Sequence, residues 1–267
     1  MRLLTWFGAA ILAMVMAESV AAGDERIRLP GIKGADDRAP VETDGYPWRA
    51  IGRVNNQLGG FCTGTLVGPR QVLTAKHCLW NRRTRRWLPP SALHFIAGYR
   101  RGDAMAHARV ARFASSGAYD PGTGRTEEAE DWAILILEAD LGAALGFLPT
   151  RPLDRAGLTG LASEGGTVTA AGYAQDKAHI LTRHQGCRLL GFTPKQDLLL
   201  HDCDATHGDS GAPLLFYQND RHHLIAIHVA TTTNKKDGAT LGLAVPATAF
   251  HNHISATPPD AHATPAP

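Results

Sequence analysis

Gly208-Asp209-Ser210-Gly211-Ala212-Pro213 sets a serine between glycines. Glycine on both sides lets the backbone turn sharply and expose the hydroxyl, with neighbouring N–H groups facing a common space. An acyl-transfer centre needs those two things, a nucleophile and donors for the oxyanion it creates. Such turns are also common structural devices, so a catalytic role for Ser210 depends on two stretches upstream. His77 lies in Leu73-Thr74-Ala75-Lys76-His77-Cys78, and Asp131 opens Asp131-Trp132-Ala133-Ile134-Leu135-Ile136-Leu137. Imidazole titrates near neutrality, so His77 can take the Ser210 proton and return it to a leaving amine. A carboxylate buried by the apolar run behind it, Asp131, would fix the imidazole tautomer and stabilise its charged form. Alone, His77 reads as a surface histidine and Asp131 as a turn residue. The chemistry lies in the conjunction.

The elements that must position these residues read as strands. From Trp48 onward short β-type runs alternate with Gly/Pro turns: 50–54, 62–67, 71–74, 93–97, 106–113 and 132–137, then 166–172, 186–192, 198–203, 212–217, 224–230 and 240–245. Many short strands at such spacing predict an all-β barrel or sandwich. Helix is confined to one turn after Ala75-Lys76-His77 and to Pro246–Ile254, with proline at its first position. The break between halves falls around 148–164. His222-His223 reads as a solvated turn.

Arg2 precedes an apolar run, Leu3–Ala17, and small residues follow at Val20-Ala21-Ala22. This pattern predicts a secretory signal peptide over residues 1–22, with too short a run to serve as a membrane anchor. Residues 23–45 read as a propeptide or N-terminal arm, 46–254 as the main domain and 255–267 as a disordered Pro/Ala/Thr-rich tail. A net charge of +2 argues against nucleic acid as a partner. Arg82-Arg83-Thr84-Arg85-Arg86 reads as a solvated loop. Outside the reducing cytosol four cysteines predict disulfides. Three connectivities are open, the sequence-local one being Cys62–Cys78 with Cys187–Cys203. No close Cys-x-x-Cys pair favours zinc, no ligand cluster calls for another metal, and no cofactor is expected.

Thr-Ala-x-His-Cys, Asp-Trp-Ala-Ile-Leu and Gly-Asp-Ser-Gly-Ala-Pro, in that order, resemble the trypsin/chymotrypsin-like serine proteases. Tyr46-Pro47-Trp48, Cys203-Asp204 and Ile227-His228 are similar to the bacterial, glutamyl-endopeptidase-like (V8-like) branch. The resemblance spans roughly 41 to 254. It implies two six-stranded antiparallel Greek-key β-barrels with a short C-terminal helix. It also implies an exported serine endopeptidase, a monomer acting on protein or peptide substrates, with catalytic His77, Asp131 and Ser210. The N–H groups of Gly208 and Ser210 would form the oxyanion hole, Cys62–Cys78 would staple the His77 loop, and Cys187–Cys203 would brace the substrate pocket.

Departures from the family pattern raise three questions. Lys76 replaces a small residue beside His77, and Val229 replaces a serine that often supports the aspartate. In the specificity pocket, Asp204 points to basic substrate residues and His228 to acidic ones, while Ala205 lacks the hydroxyl that often accompanies the histidine. Basic, acidic and broad preferences all stay open, as does a pairing of Asp204 with His228. Asp209, if buried, needs a cationic or N–H partner. The alternative function is a weak or inactive binding protein on a protease fold. An α/β-hydrolase esterase fails because its order is Ser…Asp…His.

Overall fold

The computed structural model describes residues 29–115, 128–194, 197–234 and 237–254. The expected signal peptide and C-terminal tail lie outside them. Among the described residues sixteen strands are formed: β1 (Ala39–Pro40), β2 (Ile51–Asn56), β3 (Phe61–Gly68), β4 (Gln71–Thr74), β5 (Trp80–Asn81), β6 (Arg86–Trp87), β7 (Leu93–Ala97), β8 (Ala106–Ser115) and β9 (Ala133–Leu137) in the first half. The second half adds β10 (Thr167–Gly172), β11 (Thr182–Gln185), β12 (Leu189–Phe192), β13 (Leu199–His201), β14 (Pro213–Gln218), β15 (Arg221–Thr233) and β16 (Thr240–Pro246). The all-β reading holds.

The first half closes into a six-stranded barrel in the order β2-β3-β4-β9-β8-β7. Side chains that alternate along a strand explain how one strand serves two cores. On β9, Ala133, Leu135 and Leu137 fill the barrel with Val54, Leu66, Phe95 and Val110. Ile134, on the opposite face, joins Ile51, Leu73, Trp132, Tyr173, Leu215, Ile227 and Val245 in the core between the halves. A strand buried on both faces reads as a continuous apolar run, as Ala133–Leu137 does.

The second half departs from a closed six-stranded barrel. It is an eight-stranded antiparallel sheet, β1-β11-β10-β14-β15-β16-β13-β12, whose outer strands do not pair with each other. The ends are β1, two residues long and contributed by the N-terminal arm, and β12, four residues with a register shift between Leu189 and Gly191. Both are too short and irregular to close the ladder. β11 has the polar sequence Thr-Arg-His-Gln, so it carries no apolar signal.

The expected helical turn after Ala75 forms at Lys76–Leu79, while helix elsewhere differs from expectation. Pro246–Ile254 forms two 3-10 turns, Ala247–Ala249 and His251–His253, divided at Phe250. Phe250 (φ −124°) is fully buried 6.2 Å from the Trp132 ring, and burying it breaks the spiral. The expected inter-half loop contains an α-helix, Arg155–Ser163, capped by Asp154, whose Oδ1 accepts Gly157 N–H at 2.7 Å. Leu158 and Leu161 anchor it to the second sheet's core, and its two glycines hid it in the sequence. His222 and His223 stand in β15 rather than in a turn, and His222 packs against Trp48 and Tyr217.

The barrel interior allows no addition at Gly52. A Cβ there would meet the Ile96 carbonyl and stand 2.7 Å from the Phe95 ring. Gly52→Ala is expected to destabilise the fold by about 2 kcal/mol, the usual cost of overpacking. The denaturant midpoint of an inactive Ser210→Ala background reads this, and an unchanged midpoint would show that the barrel wall yields.

Candidate active site

β4 and β9 are paired with Thr74 opposite Ala133, so the segments after β4 and before β9 leave the barrel side by side. The first is a 3-10 turn, Lys76–Leu79, carrying His77; the second carries Asp131. Asp131 is buried, and both its oxygens engage His77. Oδ1 accepts the His77 backbone N–H at 2.8 Å, and Oδ2 lies 2.7 Å from Nδ1. An ionised carboxylate only accepts, so Nδ1 carries the ring proton and Nε2 keeps a free lone pair. The disulfide Cys62–Cys78 fixes the next residue to β3. Because those sulfurs are bonded to each other, the group Cys62, His77 and Cys78 offers no thiolate to a metal.

Ser210 comes from the other half on a tightly folded turn. Asp209 N–H donates to Thr206 O (3.0 Å), Thr206 N–H to Asp209 Oδ2 (2.8 Å) and Ala212 N–H to Asp209 O (2.8 Å). Gly208 (φ +96°) and Gly211 (φ +82°) adopt left-handed backbone that disfavours any side chain. A Cβ on Gly211 would strike the Thr63 carbonyl and stand 2.8 Å from Ala75 N, two residues before His77. Thr63 N–H donates to Ser210 O at 2.9 Å, and Thr63 Oγ1 donates to Gly208 O at 3.0 Å. Thr63 is also the neighbour of Cys62, which is bridged to Cys78. The nucleophile turn is thus docked on the strand and disulfide that hold His77.

The pocket residues find separate partners. Asp204 is buried with no exposed side-chain surface. Its Oδ1 accepts Lys33 N–H (2.7 Å), its Oδ2 accepts Asp37 N–H (3.0 Å), and His184 Nδ1 lies 3.4 Å from Oδ2. His228 instead faces His201, Nδ1 to Nε2 at 3.1 Å. The pairing of Asp204 with His228 therefore does not form. Burial pushes the His228 pKa down to about 3, with the Lys33 and His77 charges acting the same way, and His201 is driven down for the same reason. Both rings are neutral at physiological pH. His201 Nδ1 is buried with no partner among the described residues, so its proton belongs on Nε2, donated to His228 Nδ1. His228 then carries its own proton on Nε2. Ala205 is buried, and its N–H donates to Gly31 O at 3.3 Å.

The N-terminal arm is part of this pocket, a placement without any signal in the sequence because residues 31–38 are polar and aperiodic. Lys33 Nζ donates to Gly31 O (3.0 Å) and Cys203 O (2.5 Å). Arg38 is buried and forked between Asp36 and Asp176, with contacts of 2.7–3.0 Å, which clamps the arm to the second half. Cys187–Cys203 forms behind Asp204. His201 did carry a signal, a histidine ending the apolar run Leu198-Leu199-Leu200. Lys76 is buried beside Glu130 and Asp131, whose charges oppose the drop in its pKa caused by burial. Val229 is buried in the core between the halves.

Asp209 has an N–H partner, Thr206, and no ion-pair contact among the described residues. Burial raises its pKa to about 7, opposed by the Thr206 bond and by the Arg38 and Lys33 charges, and assisted by Asp176. Folding therefore binds a proton between pH 4 and 7, so this residue's contribution to stability is full below about pH 4 and is lost as pH rises through 7. Asp209→Asn removes that dependence. In an inactive Ser210→Ala background, urea unfolding at pH 4.5 and 8 should show the variant gaining on its parent by on the order of 3 kcal/mol at the higher pH. Equal pH slopes would contradict this.

Comparison with known proteins agrees with the geometry. The trypsin family matches residues 36–254. A glutamyl endopeptidase of Bacillus licheniformis is 26% identical over 208 residues, 77% of this chain, and the chain spans 61% of that relative's length. The fold is similar to the structure of Glu endopeptidase in complex with MPD, with a TM-score of 0.65 and 23% identity, over 84% of this chain and 96% of that one. It is also similar to the protease Anisep from Arthrobacter nicotinovorans, with a TM-score of 0.59 and 15% identity, over 81% and 99% of the two chains. With most of its length matched, and with the histidine and aspartate loops and the serine turn converging, the chain belongs to the trypsin family.

Proposed function

We propose that this chain is an exported serine endopeptidase that cleaves peptide bonds after acidic residues. The observation that carries the catalytic reading is the Asp131 carboxylate bonded twice to His77, beside the Ser210 turn docked on Thr63 and Ala75. In this reading Ser210 Oγ attacks the scissile carbonyl and His77 Nε2 takes its proton. The N–H groups of Gly208 and Ser210 receive the oxyanion, since the intervening Asp209 N–H turns away to Thr206. One such donor is worth about a hundredfold or more in rate. Collapse breaks the C–N bond as His77 protonates the departing amine, and water then releases the acyl group by the reverse sequence.

Export is supported by two disulfides and no free cysteine among the described residues. No helix among them is long and apolar enough to cross a membrane.

The preference for acidic residues follows from how the pocket charges are spent. Asp204 has no exposed side-chain surface and already accepts a backbone N–H on each oxygen, so its charge is directed at the arm rather than at a substrate cation. Beside it stand two donors, the neutral His228 and the Lys33 ammonium, which keeps one N–H beyond its bonds to Gly31 O and Cys203 O. A relative named glutamyl endopeptidase points the same way.

A chromogenic panel varying only the residue before the scissile bond tests this. Glu should be cleaved at least about tenfold more efficiently than Arg. Lys33→Met keeps the backbone N–H bound to Asp204 and removes the ammonium, so kcat/KM for the Glu substrate should fall about ten- to a hundredfold. Arg as the best residue, or a variant with undiminished Glu cleavage, would contradict the assignment.

A further inference from the structure

The arginine cluster is not a featureless loop. Arg82, Arg83, Arg85 and Arg86 crown a hairpin in which Trp80 pairs with Trp87 and Asn81 with Arg86. The two indoles meet edge to face at 5.1 Å. Asn81 Oδ1 accepts the N–H groups of Arg83 (3.0 Å) and Thr84 (3.2 Å), which shapes the tip, and Arg85 takes a left-handed conformation (φ 52°). Leu88 N–H returns to Leu79 O at 2.8 Å and closes the base. All four arginines are exposed, and among the described residues none has a carboxylate within 4 Å. Like charges are thus held together on a built element without a carboxylate partner, which gives this face a positive potential that attracts anionic groups.

Its location gives that arrangement a use. The hairpin begins three residues after His77, within about 11 Å along the chain. A groove of about 560 Å³ runs between it and the β2–β3 turn, lined by Leu58, Asn81, Arg86, Trp87 and Pro89 among others. That turn leads directly into Phe61, whose ring packs against Gly208, and into Cys62, bridged to Cys78. The pocket of Asp204, Lys33 and His228 lies on the second half and would hold the acyl side of the substrate. The groove belongs to the barrel half, between the hairpin that follows His77 in sequence and the turn that leads into Phe61.

We infer that this groove and its arginines form a binding site for acidic side chains on the leaving-group side of the scissile bond. The inference rests on the endopeptidase reading and extends it to substrate residues that the pocket does not touch. A polypeptide fits better than nucleic acid, because the Trp80–Trp87 contact is edge to face within the hairpin rather than a row of open stacking faces. An extended peptide can place apolar side chains against Leu58 and Trp87 and carboxylates against the guanidinium fork, which suits such groups.

The experiment compares two internally quenched peptides, identical up to the scissile bond and carrying either Asp/Glu or Asn/Gln in the three positions after it. A p-nitroanilide sharing the same acyl side and lacking those residues serves as the reference. The acidic peptide should be cleaved about tenfold more efficiently at low salt, with the advantage shrinking at 0.5 M NaCl. The quadruple variant Arg82→Gln, Arg83→Gln, Arg85→Gln and Arg86→Gln should erase the advantage while leaving p-nitroanilide hydrolysis unchanged. Failure to hydrolyse the p-nitroanilide would undo the endopeptidase reading itself. Hydrolysis with equal rates on the two peptides, or a variant that retains the acidic advantage, would overturn only this site. So would a single-stranded oligonucleotide that binds the hairpin and is not displaced by the acidic peptide.

Discussion

Everything at the candidate site depends on how Asp131 spends its two oxygens. One accepts the backbone N–H of His77 and the other faces its Nδ1, so a single carboxylate fixes the histidine's main chain, its ring and its tautomer. A buried carboxylate needs such partners to offset desolvation. The barrel supplies the geometry through the β4–β9 register, and the buried Trp132 and Phe250 pack over the aspartate's segment. Lys76 adds a cation to the same neighbourhood instead of a small side chain. The ring nitrogen that must act as base is thereby left with its lone pair outward.

The second constraint is steric. Ser210 comes from the half that does not hold His77, so the two can meet only if the turn lies hard against the barrel. Gly211 achieves this where any side chain would collide with Thr63 and Ala75, and Thr63 then bonds to both Ser210 O and Gly208 O. Glycine's permissive backbone is used here for close approach as much as for turning. The arm imposes a comparable constraint on the far side. Gly31, at φ +92°, packs against the Ala205 carbonyl, which brings Lys33 beneath the pocket and leaves Asp204 committed to holding the arm.

The parts legible in the sequence were those written in local pattern. Strands with apolar alternation were read close to their observed bounds, and His77, Asp131 and Ser210 stood out because each sits in a motif with its own local logic. What escaped was decided by contacts distant in sequence. β11 is polar and exists because β10 and β1 flank it. The 155–163 helix carries two glycines and is held by packing of Leu158 and Leu161. The partner of Asp204 lies 171 residues away in an arm with no periodicity, so no reading of the pocket residues alone could tell that its charge was already engaged. The short-range arginine run was visible, but its Trp-paired hairpin was not, because Trp80–Asn81 and Arg86–Trp87 are only two residues each.

The most direct test of the central claim is the rate at which a fluorophosphonate labels the processed protein at neutral pH, with the modified residue identified by mass spectrometry. Labelling is expected at Ser210, with none in Ser210→Ala and a rate lowered by about a thousandfold or more in Asp131→Asn, where the carboxylate that sets the His77 tautomer is gone. Labelling elsewhere, or at Ser210 with a rate indifferent to Asp131→Asn, would contradict it.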